Sequence, residues 1–425
     1  MKGTGTVFLG IGAFALTAVL AAQQQIPQLP NPTPATPNFG SVVPKPANAQ
    51  LKAPQGFTVD TYADNVQNAR IMEWAPNGDL FVAQSEANIV SVFRDTNKDG
   101  LPDSRTVYSQ GPQKNCGGFG GGGRRGGAAA PAAPPPNPEL NCPYGLAFHN
   151  GYLYVGNTDG VIRYKYTNGD TKAAAAGEMI ASVPGGGNHW TRNVIFSRDG
   201  RKMYVSVGSS NNIDETGRGN ENRAAIHEFN PDGTGFRLFA TGIRNPVGLT
   251  LQPTTNAIWT AVNERDGLGD ELVPDYATSV KDGGFYGWPY SYIGNHVDTR
   301  VPNQKPDLVA KAIVPDVLIP AHSAALGLTF YTGTQFPQRY RNGLFVALHG
   351  SWNRSTAQGY KVIFVPFANN RPSGPIEDFL TGFVVDPAAV TKWGRPVGVT
   401  VTADGSLLVS DDASHTIWRV RAATP

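Results

Sequence analysis

The sequence predicts an all-β chain: a six-bladed β-propeller of four-stranded antiparallel blades. Three observations carry this. A unit of apolar strand, polar turn and second apolar strand recurs six times along 425 residues. The turns carry Asn-Gly, Asp-Gly or similar pairs, which favour two-stranded hairpins because they tolerate the backbone twist a tight hairpin demands. No segment sustains a helical period, so a doubly wound α/β enzyme is excluded. Composition agrees: 50 Gly and 34 Pro against only 16% charged residues fit many tight turns between short strands.

The six units are Trp74–Ser85, Leu146–Thr158, Val194–Ser209, Leu249–Glu264, Leu328–Trp352 and Val399–Asp412. After most of them comes a further alternating strand, such as Asn88–Arg94, Gly160–Tyr166, Ala225–Asn230, Gly359–Phe367 or Thr416–Val420. A third strand of that kind is what a four-stranded blade needs. Repetition at this spacing is the signature of a radial array, in which loops from every unit meet at one mouth.

The ends and one insertion fall outside this pattern. Residues 1–22 read as an export signal: Lys2, an apolar run from Val7 to Leu20, then small residues Ala21 and Ala22. The run is short for a membrane span, so no stable membrane insertion is expected after cleavage, and a periplasmic or secreted location is. Residues 23–50, rich in Pro, Gln, Asn and Thr, predict a disordered linker, followed by the propeller over 51–422. A low-complexity Gly, Ala and Pro insert lies between Cys116 and Cys142, the only two cysteines. In an exported chain this predicts a disulfide that clips the insert. The net charge of +2 gives no basic excess for nucleic acid.

Five polar segments are candidate sites. In Gly185–Arg192 (GGGNHWTR), His189 follows a glycine run and is a candidate general base, its ordinary pKa being near neutrality. In Gly242–Gly248 (GIRNPVG), Arg244 offers a planar cationic fork and Asn245 can donate and accept. Asn263–Glu271 (NERDGLGDE) is oxygen-rich and suits calcium. Trp393–Gly398 (WGRPVG) brings Arg395, and His322 and His349 flank the fifth unit as candidate substrate or cofactor contacts. Separately, Asp95–Asp103 (DTNKDGLPD) opens like an EF-hand loop, with Asp95, Asn97, Asp99 and Asp103 as candidate structural calcium ligands. No CxxC pair, HExxH or GxSxG is present, which argues against a zinc centre or a serine hydrolase.

Together, GGNHWTRNVIFSRDG, FATGIRNPVGL, ERDGLGDE with GGFYGWP, and GRPVGVTVTADGSLLVSDD give a pattern. In order and spacing it resembles the PQQ-dependent soluble sugar dehydrogenases of the glucose/sorbosone dehydrogenase family. GSWNRS (350–355) points to the sorbosone dehydrogenase-like branch. The resemblance implies PQQ and calcium as cofactors, a small sugar or sugar aldehyde as substrate, and a quinone or cytochrome as electron acceptor. It implies that His189 is the base and that Arg244 stabilises charge on the quinone. Asn245 and Arg395 would contact PQQ, and Asp266 and Gly267 would hold calcium through backbone carbonyls. Two departures stand out: Val397 replaces a second family arginine, and no lysine occupies the fifth-blade cofactor position, leaving Arg354 as a substitute. A calcium-dependent lactonase-type hydrolase and a non-catalytic sugar- or protein-binding propeller are the alternatives.

Overall fold

The computed structural model describes residues 1, 26–112, 116, 139–216 and 220–423. The expected export signal and the interior of the insert lie outside them. Among the described residues, six four-stranded antiparallel sheets form the body. The first runs through Ala69–Trp74, Leu80–Gln84, Ile89–Arg94 and Ser104–Gln110. The next four begin at Gly145–His149, Val194–Phe196, Pro246–Leu251 and Ala325–Phe330, each followed by three strands in chain order. All six hairpins expected from the repeat are present.

The sixth sheet joins the two ends of the chain. Pro396–Val401, Leu407–Asp411 and Thr416–Ala422 are completed by Phe57–Ala63, which pairs antiparallel with the C-terminal strand. Strand pairing therefore ties residue 57 to residue 422.

The first strand of each chain-ordered hairpin is innermost. Ala69–Trp74 touches Gly145–His149, which touches Val194–Phe196, and so on through Pro246–Leu251, Ala325–Phe330 and Pro396–Val401 back to Ala69–Trp74. Second strands are enclosed on both faces: LFVAQ, MYVSV, IWTAV, LFVAL and LLVSD are buried at every position. That explains their near-continuous apolar sequence. Adjacent sheets share face-to-face cores. Phe81, Val92 and Tyr108 of the first sheet pack on Leu146, Val155 and Ile162 of the second. Truncating a buried aromatic such as Phe345 is expected to cost about 3–5 kcal/mol.

Two features outside the sheets bear on the expectations above. Cys116 and Cys142 are bonded, with Cα atoms 5.6 Å apart. Asn88 fastens both ends of the clipped insert: its Nδ2 donates to Pro112 O and Leu140 O, and its Oδ1 accepts from Cys142 N. The described part of the expected linker is not a free tether. Thr33 N donates to Leu268 O, Asn38 N to Trp352 O, and Ser41–Val42 pairs with Thr391–Lys392. Its composition suggested disorder because it has few apolar residues to bury, but Leu29, Val43 and Ala49 pack on the body, Phe39 stacks on Trp352, and backbone amides and Asn38 add polar attachment.

Candidate active site

Each innermost strand starts at the same end of the molecule, and each second strand finishes there. The residues just before the one and just after the other therefore meet around a common mouth. Backbone bonds knit these loops pairwise: Ser209 N donates to Arg244 O, Asn263 N to Asn245 O, His349 N to Ala324 O and Asp412 N to Arg395 O.

His189 is held by the glycine run. Gly186 and Gly187 have φ of +70° and +79°, and a Cβ on Gly187 would lie 2.7 Å from Ser210 Cα. Only glycine allows that approach. His189 Nδ1 lies 2.9 Å from Ser209 O. A carbonyl can only accept, so Nδ1 carries the hydrogen and Nε2 carries the lone pair. Burial, then the Arg244 charge, lowers the His189 pKa to about 3, so the imidazole is neutral at physiological pH. Gly208 completes the cradle: a Cβ there would fall 2.5 Å from both His189 Cβ and Asn245 Oδ1. Asn245 Nδ2 donates to Asn263 Oδ1, while its buried Oδ1 has no partner among the described residues.

Arg244 is buried and fully committed. Its Nε and Nη atoms donate to Asn212 O, Asn263 O, Glu264 O, Asn212 Oδ1 and Asp266 Oδ2. It therefore acts on its surroundings through charge rather than through free N–H groups. Asp266 lies 3.3 Å from His322 Nδ1, and His322 Nε2 reaches Gly269 O at 2.8 Å. His189, Arg244, Asp266 and His322 thus form one connected cluster.

A second cluster faces it. Asp412 accepts from His349 Nε2 at 2.9 Å and pairs with Arg70 Nη1 at 3.0 Å. Burial alone would raise the Asp412 pKa, but His349, Arg70 and Arg395 together hold it well below the usual carboxylate range. Burial, then Arg395, lowers His349 to about 4. Arg395 Nε donates to His349 O and its backbone N to Asp411 Oδ1. Arg70 lies over the Trp190 ring, 5.5 Å from its centroid, which links this cluster to the residue next to His189.

The structure gathers His189, Arg244, Asn245, Asp266, His322, His349 and Arg395 from distant parts of the chain. Arg354 stands apart on the rim, bound to Glu271 and to Asp270 O. At the expected calcium loop, Asp266 O already accepts from Asn212 Nδ2 and Arg300 Nη1, and its carboxylate is paired with Arg244 and His322. The oxygens of Asp266 are therefore engaged within the protein. The Asp95–Asp103 loop is a self-satisfied turn at the opposite end of the molecule. Asp95 accepts from Lys98 N and Gly100 N, Asp103 from Thr96 N and Asn97 Nδ2. No group of three or more His, Cys, Asp or Glu among the described residues is arranged to hold a metal.

Sequence reasoning missed Arg70, Asp412, Ser209, Asn212 and Trp190. Asp412 and Ser209 did carry a signal, since each is the last polar residue of a repeat unit. A cavity of about 250 Å³ beside the mouth, with Trp288 and Tyr290 in its wall, also went unforeseen. Trp288 Nε1 donates to Asn212 O and so joins this wall to the Arg244 network.

Comparison with known proteins places this chain in a family. The chain is similar to an uncharacterised protein of Borreliella burgdorferi, 30% identical over 87% of this chain and 90% of that one. It is 29% identical to a pyrroloquinoline quinone-dependent pyranose dehydrogenase of Coprinopsis cinerea over 55% of this chain, spanning 39% of that longer protein. The holo PQQ domain of the Coprinopsis cinerea pyranose dehydrogenase superimposes with a TM-score of 0.70 at 23% identity, covering 89% of this chain and 98% of that domain. The profile of the TrAA12-like family matches residues 132–281 and 299–423, more than half of the sequence. The chain belongs to the TrAA12-like family, and the resemblance to PQQ-dependent soluble sugar dehydrogenases carried by its motifs stands.

Proposed function

We propose that this protein is a PQQ-dependent quinoprotein that oxidises an aldose or related sugar aldehyde, with His189 as the base. We also infer that its six sheets are the blades of a six-bladed propeller, since each innermost strand contacts two others in a complete circuit. The observation that carries the functional reading is the His189 geometry. A neutral imidazole, its Nδ1–H fixed by Ser209 O, leaves the Nε2 lone pair without a partner among the described residues, and Asn245 Oδ1 of the same cradle is also unpartnered.

The residues fit PQQ. The cofactor carries three carboxylates, and the mouth concentrates the buried Arg70 and Arg244 and the half-buried Arg395. Arg395 engages only Nε and Nη2 among the described residues, which leaves N–H groups for a carboxylate. Bound PQQ would supply the two-electron acceptor. His189 takes the proton from the sugar hydroxyl at Nε2, and Ser209 O fixes the ring through that transfer. The Arg244 charge favours an anion developing near it. No step is derived through calcium, because the oxygens of Asp266 are already engaged. The disulfide supports an oxidising compartment, periplasmic or secreted, and no described helix is long and apolar enough to cross a membrane. A quinone or cytochrome would take the electrons onward.

The test is dye-linked dehydrogenase activity of the purified protein over a panel of aldoses and sugar aldehydes, with and without PQQ. PQQ-dependent dye reduction is expected, and His189→Ala should lower kcat by about 10²–10⁴-fold while PQQ stays bound. Full activity in that variant would sink the base assignment. Lactone hydrolysis that needs calcium and no PQQ would establish the hydrolase reading, and glycan binding without turnover would establish a binding propeller.

A further inference from the structure

The innermost strands enclose a second space, at the end away from the mouth. Ile71, Tyr144, Val247, Leu326 and Val397, with Trp190, form an apolar layer across the axis near the strand starts. Further along the same strands lies a cavity of about 150 Å³. Its polar lining is ordered. Glu73, Thr250, Thr329 and Thr400 each occupy the next-to-last position of an innermost strand. Those four strands are consecutive neighbours around the axis, so one carboxylate and three hydroxyls stand at one level along an arc.

Glu73 is the single charged side chain in this lining. It has no hydrogen-bond or ion-pair partner among the described residues, and burial alone raises its pKa to about 8. The other polar group of the cavity wall, Asn193 Oδ1, is taken by Val194 N. A carboxylate walled by aliphatic side chains is costly unless its charge is matched. The volume equals the share of about five liquid waters, room for an ion that keeps part of its hydration shell.

We propose that Glu73, Thr250, Thr329 and Thr400 form an axial site for a hard metal cation. Such ions take oxygen ligands of this kind, carboxylate, hydroxyl and water together. The ion would tie four of the six sheets at their common axis, remote from the candidate active site, so the proposal stands apart from the quinoprotein reading.

The experiment is thermal unfolding of the full chain, chelated and dialysed into choline chloride, then titrated with calcium, sodium or potassium chloride at constant ionic strength. One of these ions should raise Tm by several degrees, and the ion that does so identifies the occupant. Glu73→Gln, which keeps the shape, and Thr329→Val should lose most of the ion-specific rise. Dye-linked activity of Glu73→Gln should stay within twofold of wild type. An unchanged ion response in Glu73→Gln, or no ion-specific rise in wild type, would overturn the site.

Discussion

Replacing Asp412 with Asn is the sharpest test of how the mouth is held together. The carboxylate pairs with Arg70 at 3.0 Å and His349 at 2.9 Å, and side-chain exposures at the Arg70 pair are only 10% and 9%. Asn keeps the shape and removes the charge, leaving the buried Arg70 guanidinium without its counter-ion. Removing one partner of a buried pair typically costs about 3–5 kcal/mol, a large share of a total stability of about 5–15 kcal/mol. Urea unfolding is the assay, since an ionic denaturant would screen the term being measured. The double variant Asp412→Asn with Arg70→Met should be less unstable than the sum of the singles, by more than about 1 kcal/mol. Because the folded-state pKa of Asp412 is depressed, its contribution is full above the ordinary carboxylate pKa of 3.8 and is lost only as pH falls through the lower folded value. The deficit of the variant should therefore persist down to about pH 4. A loss under about 1 kcal/mol, or strict additivity with Arg70→Met, would refute the reasoning.

Two further outcomes are expected. Serine at both Cys116 and Cys142 should lower stability by about 3–4 kcal/mol on the chain-entropy view, given a separation of 26 residues; an unchanged melting curve would mean that Asn88 alone secures the insert. The histidines should also contribute a loss of stability between pH 6.5 and 4. Burial lowers His189, His349 and His227 to about 3, 4 and 4, so the unfolded chain takes up protons in this window that the folded histidines refuse. His322, raised through Asp266 against its burial, and the carboxyls of Glu73 and Asp275, raised by burial to about 8 and about 7, work in the opposite direction, so the histidine contribution is read by comparing wild type with His227→Gln. An identical dependence of Tm on pH in wild type and His227→Gln would count against a buried neutral His227.

The local code was legible wherever it was short in range. Asn-Gly and Asp-Gly turns between alternating strands located all six hairpins, because turn chemistry and period-two alternation are properties of a few adjacent residues. His189, Arg244, Asn245 and Arg395 stood out as candidates for a related reason: each sits in the loop leading into an innermost strand, where Gly or Pro marks an irregular backbone. Composition misled for residues 26–49, since the few apolar residues there, Leu29, Phe39, Val43 and Ala49, are enough to dock on the body. The Asp95–Asp103 expectation rested on an oxygen count and the Asp266–Gly267 one on the family resemblance. In the structure the Asp266 carboxylate pairs with Arg244 and His322, and Asp95 and Asp103 accept from their own turn.

By itself, then, the sequence determined the strand class, the sixfold hairpin repeat, the disulfide pair and the loops that carry the chemistry. Only the tertiary structure decided which of those loops share a contact. Asp412 joins Arg70 because the last sheet lies against the first, and His189 meets Asn245 because Gly208 leaves room between them. Likewise Glu73, Thr250, Thr329 and Thr400 line one cavity, a grouping no local pattern records.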